Sequence, residues 1–335
     1  MRKGQLAIEV CTGALRIAVR PARNCRIAPR PAPGDNVAVT QHRRIDNETL
    51  GMGLGFLGVA AFSLTLPVTR HVVEHFTPQF VGFGRGFVAG LAAGVYLLAS
   101  RSPPPPRRML FPLAVVAAGV VFGFPVLSAW AMVYVPASHG AVMLGTLPLA
   151  TALAGAVLSG ERPSLGFWLT GITGAAAVVA FALIRNQGGI HPADLALIGA
   201  VLAAAIGYAE GARLSRLLGG WQVICWALVL SLPLLAVPTA IELKRMAFAA
   251  PLSTWIGFFY LSLVSQFLAF LFWYQGLALG GIARVSQVQL LQIFLTLLAS
   301  ALLLNETLDV TTIAFAVFVV ATVALSRKMP VRRYA

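Results

Sequence analysis

Residues His139–Ala180 read HGAVMLGTLPLATALAGAVLSGERPSLGFWLTGITGAAAVVA, and the chain uses this pattern twice. Moved along by 145 positions, the stretch falls on Arg284–Leu325 without a gap. In both copies a long apolar run ends at a glutamate, first Glu161 and then Glu306, and a second apolar run follows. Alanine and leucine often match by chance in an apolar chain, so the shared position of the glutamate is the more informative feature. Internal similarity at so long a period indicates a duplicated structural unit.

The composition of the chain is that of a membrane protein. It has 335 residues, of which 58% are hydrophobic and 11% charged, and its mean hydropathy is +0.83. A soluble domain carries roughly 25% charged residues. Whole segments of about 20 residues lack charge, and this is the length that a helix needs to cross roughly 30 Å of hydrocarbon. The alternative is a soluble protein with an unusually apolar core.

The apolar segments predict an all-α membrane protein with ten transmembrane helices, five in each half. The predicted spans are Leu50–Thr69, Phe80–Ser100, Met109–Val133, Ser138–Ser159, Leu165–Ile184, Leu195–Ala212, Trp221–Ile241, Thr254–Leu279, Arg284–Leu304 and Val310–Ser326. They form a first repeat, 50–185, and a second, 194–326, and a short basic cytoplasmic tail follows at 327–335.

Residues 1–48 differ from the rest, with nine Lys or Arg, several prolines and no long apolar run. This composition predicts a basic, disordered N-terminal tail. Two alternatives are an organellar transit peptide and a start site placed too far upstream.

Basic residues predict how the helices are oriented. With the N-terminus in the cytoplasm, inside loops and the C-terminal tail hold eleven Lys or Arg, and outside loops hold four. Because cytoplasmic loops are enriched in Lys and Arg, both termini are predicted to be cytoplasmic. An odd number of spans per half then inverts the second repeat relative to the first. Inverted repeats are typical of transporters that bind their substrate near the membrane midplane.

Glu210, near the inner end of the sixth span, is the first candidate functional residue. An acid in hydrocarbon costs about 2.5 to 3.5 kcal/mol on insertion scales, so it usually faces the protein interior or water. Its functional interpretation is a site for proton coupling or for a substrate amine. The alternative is an ion pair at a helix end, with Arg213 or Arg85 as the partner.

Polar side chains on the ninth span form a second candidate group. Gln289, Gln292, Thr296 and Ser300 follow the spacing of one helical face. They could line a solute path, as could Gln266 in the eighth span. Amides and hydroxyls also join membrane helices to one another, so interhelical hydrogen bonding is an equal alternative.

Aromatic residues close the eighth and third spans, with Trp273 and Tyr274 in one and Trp130 and Tyr134 in the other. They could surround an amine-bearing solute through cation–π contact. Aromatic residues at span ends more often lie at the bilayer interface.

The sequence lacks the common motifs of catalysis and cofactor binding. It has no P-loop, no HExxH and no GxSxG, and its three cysteines lack metal-ligand spacing. His71, Glu74 and His75 match an HxxEH spelling but precede Pro78 in a predicted loop, so neither a metal nor a cofactor is expected. The net charge of +14 lies mostly in tails and loops, which fits a membrane partner rather than nucleic acid.

The motifs of the first repeat resemble the EamA repeat of the drug/metabolite transporter superfamily. They are Tyr134 and Pro136, then Ala141, then Pro148 within the helix and Glu161 after the apolar run. The second copy keeps Glu306, with Ile293 in place of Pro148, and the resemblance covers residues 50–326.

The resemblance implies ten helices in two inverted five-helix EamA repeats around a central cavity. The wall residues that it implies are Ser63, Pro67, Trp130, Met143, Tyr208, Glu210, Gln266, Trp273, Gln289 and Gln292. It implies a secondary active transporter in the inner membrane that exports or exchanges small organic metabolites such as amino acids, with protons as the coupling ion.

Two other functions remain open from the sequence. A multidrug or organic-cation exporter would bind its cation at Glu210, with aromatic side chains nearby. A membrane-embedded enzyme or lipid-handling protein would need clustered acids, histidines or cysteines at one membrane face, and the HxxEH spelling is the nearest candidate.

Overall fold

The computed structural model describes residues 10–11, 14–15, 35–159, 162–185, 191–245, 250–280, 285, 288–326 and 331–332. Two compact units are distinguished, Met1–Ile45 and Asp46–Ala335. In the first unit β1 (Val10–Cys11) pairs antiparallel with β2 (Ala14–Leu15). The predicted disordered tail, 1–48, is already helical from Asp35, where α1 begins, and most of its remainder lies outside the described residues.

Helices make up nearly all of the second unit. Those of the first half are α1 (Asp35–Ser63), α2 (Thr65–Val72), α3 (Pro78–Ala99), α4 (Leu110–Val116), α5 (Phe124–Ala131), α6 (Ala137–Leu144), α7 (Leu147–Ser159) and α8 (Leu165–Arg185). A 3-10 turn, Arg107–Met109, precedes α4, and a π-helical segment, Ala117–Gly123, joins α4 to α5.

The second half has the same layout. Its helices are α9 (Pro192–Leu218), α10 (Gly220–Arg245), α11 (Leu252–Phe259), α12 (Ala269–Gly280), α13 (Leu291–Leu304) and α14 (Val310–Ser326). A second π-helical segment, Tyr260–Leu268, joins α11 to α12. Short strands β3 (Arg162–Pro163) and β4 (Val331–Arg332) pair antiparallel.

Eight of the described helical segments are long and apolar enough to cross a membrane, judged by length and composition. They are Thr49–Val72, Pro78–Ala99, Arg107–Ala131, Ala137–Leu158, Trp168–Arg185, Pro192–Leu218, Gly220–Arg245 and Leu252–Leu279. Two further apolar helices, Leu291–Leu304 and Val310–Leu325, are shorter. The chain is therefore a multi-pass membrane protein, and its described residues are almost entirely helical.

Helix boundaries follow the 145-residue offset of the sequence. α7 ends at Ser159 and α13 at Leu304, while α8 begins at Leu165 and α14 at Val310. The offset also moves the first π-helical segment onto residues 262–268, inside the second one. The duplication seen in the sequence is therefore a duplication of helix boundaries and of helix irregularities.

Equivalent helices of the two repeats pack directly against each other, and they run antiparallel. α3 contacts α10, and α8 contacts α14. Thr77, which caps the start of α3, donates to Glu242 near the end of α10 at 2.7 Å, and Gln222 at the start of α10 donates to Ser102 just beyond α3 at 3.3 Å. This antiparallel contact is the relation that inverted repeats require.

Several predicted spans are broken or irregular rather than continuous. The first span breaks at Leu64, and the fourth breaks at residues 145–146. Proline has no N–H to donate four residues back, so Pro67 removes the bond to Ser63 and Pro148 removes the bond to Leu144. Pro125 does the same for Val121, within the first π-helical segment. These interruptions come from the sequence itself.

α9 packs closely against the first π-helical segment, because glycines at the crossing have no side chains. A Cβ on Gly119 would lie 2.4 Å from the Ala203 carbonyl oxygen and 3.0 Å from the Gly207 Cα atom. Only glycine fits such a crossing, and the contact joins the two repeats beside the cavity described below.

Candidate functional site

A cavity lies between the two repeats, and both contribute to its wall. The space in it that a water-sized sphere can reach is about 30 Å³, so the cavity is narrow in this conformation. The lining residues are Phe62, Thr65, Leu66, Arg85, Val120, Phe124, Ala141, Leu144, Gly145, Leu147, Pro148, Ala204, Tyr208, Ser265, Phe270, Gln289, Leu290, Gln292, Ile293, Thr296 and Val320. The fold therefore leaves a mixed polar and apolar pocket inside a membrane protein.

Repeat-equivalent positions face this cavity in five pairs, and in three of them the second member is polar where the first is apolar. Leu144 is equivalent to Gln289, Leu147 to Gln292 and Val120 to Ser265, and all six line the cavity. Gly145 and Leu290 form a further pair, as do Pro148 and Ile293. The cavity thus lies where the two repeats meet, with apolar members from the first repeat and polar members from the second.

Interrupted helices line the cavity in both repeats. α6 ends at Leu144 and α7 begins at Leu147, and at the equivalent place a turn at Gln289 and Leu290 precedes α13. Irregular backbone at membrane depth is tolerated where it lies within protein or lines a water-filled cavity. Such interruptions near the midplane are typical of substrate sites in transporters built from inverted repeats.

Arg85, on α3, is the one charged side chain among the described lining residues. It is 1% exposed. Its Nη2 donates to Ser265 Oγ at 3.2 Å, and Ser265 Oγ lies 2.8 Å from Thr65 Oγ1. Its Nε and Nη1 atoms have no hydrogen-bond partner among the residues described. A buried guanidinium is therefore held by a hydroxyl group alone, and two of its three nitrogen atoms have no described partner.

The two glutamines of the second repeat also have unused hydrogen-bonding capacity. Gln289 is buried, and neither its Oε1 nor its Nε2 has a partner within the described part of the chain. Gln292 Oε1 is likewise without one. Most buried polar groups in proteins are hydrogen-bonded, so a cluster of unpaired ones around a cavity indicates a ligand site.

Aromatic rings form the apolar side of the cavity. Phe62 and Phe270 meet edge to face at 4.8 Å, and the Tyr208 ring lies 5.8 Å from that of Phe270. Tyr208 also lies 5.9 Å from Trp273, which stands behind it, outside the lining. Apolar surface with a few placed polar groups is the usual make-up of small-molecule pockets.

The structure places three of the ten predicted wall residues in the lining: Tyr208, Gln289 and Gln292. Thr296, from the same predicted stripe, joins them, whereas Ser300 donates to the Thr296 carbonyl instead. The stripe was predicted on a continuous helix, but Gln289 lies in the turn before α13.

Four predicted wall residues lie outside the cavity lining. Ser63 donates to Ala60 in its own helix at 2.7 Å, and Pro67 is buried within α2. Met143 is buried and precedes the lining residue Leu144 in the sequence, but it does not itself line the cavity. Trp130 is half-buried, 4.9 Å from Tyr134.

Gln266 and Trp273 are buried behind the lining. Gln266 Nε2 donates to the Val120 carbonyl at 2.8 Å and so joins the two π-helical segments. Its Oε1 and the Trp273 Nε1 have no partner in the part of the chain that is described. Interhelical hydrogen bonding, the alternative that the sequence left open for Gln266, is present here.

Glu210 lies outside the lining and is paired with Arg213. Arg213 donates from Nε to one carboxylate oxygen at 3.0 Å and from Nη2 to the other. The Glu210 side chain is 6% exposed and that of Arg213 50%. Glu210 therefore forms the ion pair with Arg213 that the sequence offered as the alternative to a functional role.

No group of three or more His, Cys, Asp or Glu that could hold a metal occurs among the residues described. In the HxxEH spelling, His71 lies 3.9 Å from Glu74, but the histidines bond elsewhere, His71 with Ser253 and His75 with Thr254, each at 3.3 Å. Arg284 and Glu161 lie outside the described residues.

Arg85 and Ser265 were missed as site residues by sequence reasoning. The signal for Arg85 was present, because an ionisable residue inside an apolar span is a functional candidate by default. Ser265 had no such signal, since single hydroxyls are common in membrane helices and only the packing of α2 on the second π-helical segment brings it to Thr65.

Comparisons with known proteins agree with this architecture. The EamA-like transporter family matches residues 49–183 and again 191–327. The chain is 43% identical over 284 residues to the uncharacterized transporter YdeK of Bacillus subtilis (strain 168), covering 85% of this chain and 99% of that protein. One crystal structure of a protein, 18% identical, covers 83% of this chain and 96% of its own with a TM-score of 0.57, which indicates a shared fold. A duplicated match over most of its length and a full-length relative show that the chain belongs to the EamA-like transporter family.

Proposed function

We propose that this protein is a secondary active transporter that exports or exchanges a small organic metabolite by alternating access. The observation that supports this most is the cavity between the repeats, where Arg85, Gln289 and Gln292 have unpaired polar atoms. Family membership places the chain among transporters rather than enzymes. In the proposal the shorter helices α13 and α14 also cross the membrane, which gives ten spans.

The cavity suits a carrier because its walls come from two inverted halves. The break between α6 and α7 in the first repeat and the turn before α13 in the second are at equivalent positions. Both breaks line the cavity. Rocking of one half against the other would open the cavity to each side of the membrane in turn. A bound solute would satisfy polar groups that helix packing leaves unpaired.

Proton coupling is the finer part of the proposal, and Glu210 is the acid assigned to it. Its carboxylate is buried and accepts two hydrogen bonds from Arg213. Protonation would weaken that pair and so favour a different position of Arg213 at the end of α9. Because Glu210 is outside the cavity lining, this coupling would act through α9 rather than by contact with the solute.

We propose an inner-membrane location with both termini in the cytoplasm, from the excess of Lys and Arg in the loops assigned to that side. Single cysteines would test it after Cys11, Cys25 and Cys225 are replaced. A membrane-impermeant thiol reagent should label Glu74→Cys in intact cells and should label Ser102→Cys only after lysis. The opposite pattern would invert the topology.

An organic-cation exporter is the alternative within transport, and the cavity does not favour it. Aromatic rings line one side of the cavity, but no described lining residue is an acid that would balance a cation. Arg85 would also repel a cation in a site of low dielectric.

Uptake into proteoliposomes tests the proposal. Labelled amino acids, other carboxylates, nucleosides and amines would be offered as pools, with and without an imposed pH gradient. We expect one pool to enter, and entry to follow the gradient in the wild type but not in Glu210→Gln. No uptake of any pool would contradict the proposed function, and an unchanged gradient response in Glu210→Gln would remove Glu210 from coupling.

A further inference from the structure

We propose that the cavity binds its solute through a carboxylate group and that Arg85 is the residue that binds it. This rests on the proposed transport function and assigns the substrate class. The solute is a small monoanion or zwitterion whose carboxylate meets the guanidinium, while its body lies between the aromatic and amide sides of the cavity.

The geometry of Arg85 leaves a binding edge unused. A guanidinium has five N–H donors in a fixed fork that matches a carboxylate in a two-point contact. Only Nη2 of Arg85 has a described partner, Ser265 Oγ at 3.2 Å, while Nε and Nη1 are buried and have none among the described residues. Nη2 has two N–H groups, one on the edge that it shares with Nε and one on the edge that it shares with Nη1. Ser265 therefore occupies one edge, and the other remains complete for a carboxylate.

Charge balance indicates an anion rather than a neutral acceptor. Arg85 is 1% exposed and forms no ion pair within the described part of the chain, although the other buried charges there, such as Glu210, are paired. Burying an unpaired charge is costly, and a bound counter-charge removes that cost. The nearest groups that bond to it, Ser265 and through it Thr65, are neutral hydroxyls.

The N-terminal ends of two helices beside the cavity carry a partial positive charge, of the same sign as Arg85. The first turns of α7 and α13 contribute Leu147, Pro148, Gln292 and Ile293 to the lining. The N-terminal turn of a helix has free N–H groups and a partial positive charge, which favour an anion. Pro148 has no N–H and the Gln292 N–H donates to the Gln289 carbonyl, so these turns add only their partial charges to the charge of Arg85. No described lining residue is an acid.

The single full charge in the described lining favours a carboxylate over a phosphate ester. Arg85 balances one negative charge, whereas a phosphate carries about two at neutral pH and would keep an excess that only the partial charges of the helix ends could offset. Gln289 and Gln292 offer donors and acceptors to the body of the solute, and Phe62 and Phe270 offer apolar surface opposite. A carboxylic acid with a polar and an apolar part matches this arrangement.

Pairs of ligands that differ only at the carboxylate provide the test. Purified protein in detergent would be titrated with 3-phenylpropionate against 3-phenylpropionamide, L-leucine against L-leucinamide, and succinate monoamide against succinamide, with thermal unfolding followed by tryptophan fluorescence. We expect at least one carboxylate to raise the unfolding midpoint at a concentration about tenfold or more below its amide. A panel in which no carboxylate binds, or in which acid and amide bind equally, overturns the inference.

Variants locate the preference at Arg85. Arg85→Gln should abolish the carboxylate preference and leave amide binding unchanged, and Arg85→Lys should keep part of it because charge remains while the fork is lost. Arg216→Gln, an exposed arginine on α9, is the matched control and should behave as wild type. If Arg85→Gln does not fold, the Lys variant and the wild-type panel decide.

Transport data separate this inference from the function on which it rests. If the uptake assay identifies a carried solute without a negative group, the transport function stands and the carboxylate site is wrong. If carboxylates bind in an Arg85-dependent manner but none is transported, the site stands and the transport proposal fails.

Discussion

Two glutamines stand where the first repeat has leucines, and this difference gives the cavity its polar side. Gln289 and Gln292 are equivalent to Leu144 and Leu147, and the amides have unpaired atoms in the described structure. Buried amides without partners lower stability, so their presence in the wall is better explained by a bound solute than by packing.

Replacing both glutamines by leucine should separate function from stability. We expect Gln289→Leu with Gln292→Leu to reduce solute affinity by about tenfold or more, since each lost hydrogen bond is worth about 1 kcal/mol. The unfolding midpoint should stay equal or rise, because apolar side chains replace unsatisfied ones. Concentration-dependent uptake and thermal unfolding measure the two effects. Gln222→Leu, at the start of α10 and outside the lining, is the control that should transport normally.

The candidate site could be predicted only in part from the sequence. Gln289 and Gln292 could be found because two amides at helical spacing stand out in an apolar span. Glu210 stood out more strongly, yet it pairs with Arg213 three residues on and lies outside the lining. Whether a buried charge is paired locally or left for a ligand depends on contacts between helices, which spacing along one helix does not reveal.

At the scale of elements, Glu306 caps a helix of the other repeat. α6 begins after Pro136, whose side chain cannot accept a hydrogen bond. The Glu306 carboxylate accepts instead from the Ala137 and Ser138 amides, at 2.7 and 2.9 Å. The glutamate that marks the end of the apolar run in the sequence therefore joins the α13–α14 loop to the start of α6.

Removing this cap should destabilise the protein. We expect Glu306→Gln to lower the free energy of unfolding by about 1 to 2 kcal/mol, as for other lost N-caps, because the amide can accept only through one oxygen. Denaturation in detergent measures the loss. Glu74→Gln, at an exposed glutamate, should change it little. Equal stability of both variants would show that the contact contributes nothing.

Asp309 caps the start of α14, and its lowered pKa predicts that the stability of the protein depends on pH. Hydrogen bonds from the side chain and backbone of Thr312, with a smaller effect of Arg185, hold the pKa of Asp309 below its usual value. A group whose pKa is lowered by folding adds stability above its unfolded value, about 3.9, and loses it as the pH falls further. Wild type should therefore exceed Asp309→Asn in unfolding midpoint at pH 7 and pH 5. That difference should shrink below about pH 4, and a difference that persists or grows there would contradict this assignment.

The helix boundaries and the breaks at prolines were largely predictable, and the break before α13 was not. Long uncharged runs between loops of Pro, Arg and Gly define where spans begin and end, so the predicted start at Leu165 and end at Leu304 match the structure. Pro148 makes a break in the fourth span expected in hindsight. The equivalent break before α13 occurs at Gln289 and Leu290 with Ile293 in place of proline, and no residue there signals it.

At the scale of the whole molecule, two inverted repeats enclose one asymmetric cavity. The sequence offset alone indicated the duplication, and antiparallel packing of α3 on α10 and of α8 against α14 follows from it. The polarity of the cavity did not follow, because it depends on which member of each equivalent pair is polar and on Arg85, whose equivalent position does not line the cavity. The architecture suits alternating access, and the wall suits an anionic solute.

Counterflow in proteoliposomes tests the claim of alternating access most directly. Vesicles would be loaded with a high concentration of the unlabelled carried solute, diluted, and given a trace of labelled solute outside, with no ion gradient. A carrier returns from the inner side with solute bound, so we predict transient accumulation of label above its equilibrium level in loaded vesicles and none in empty ones. Equal entry into loaded and empty vesicles, without overshoot, would contradict a carrier and indicate a passive pore.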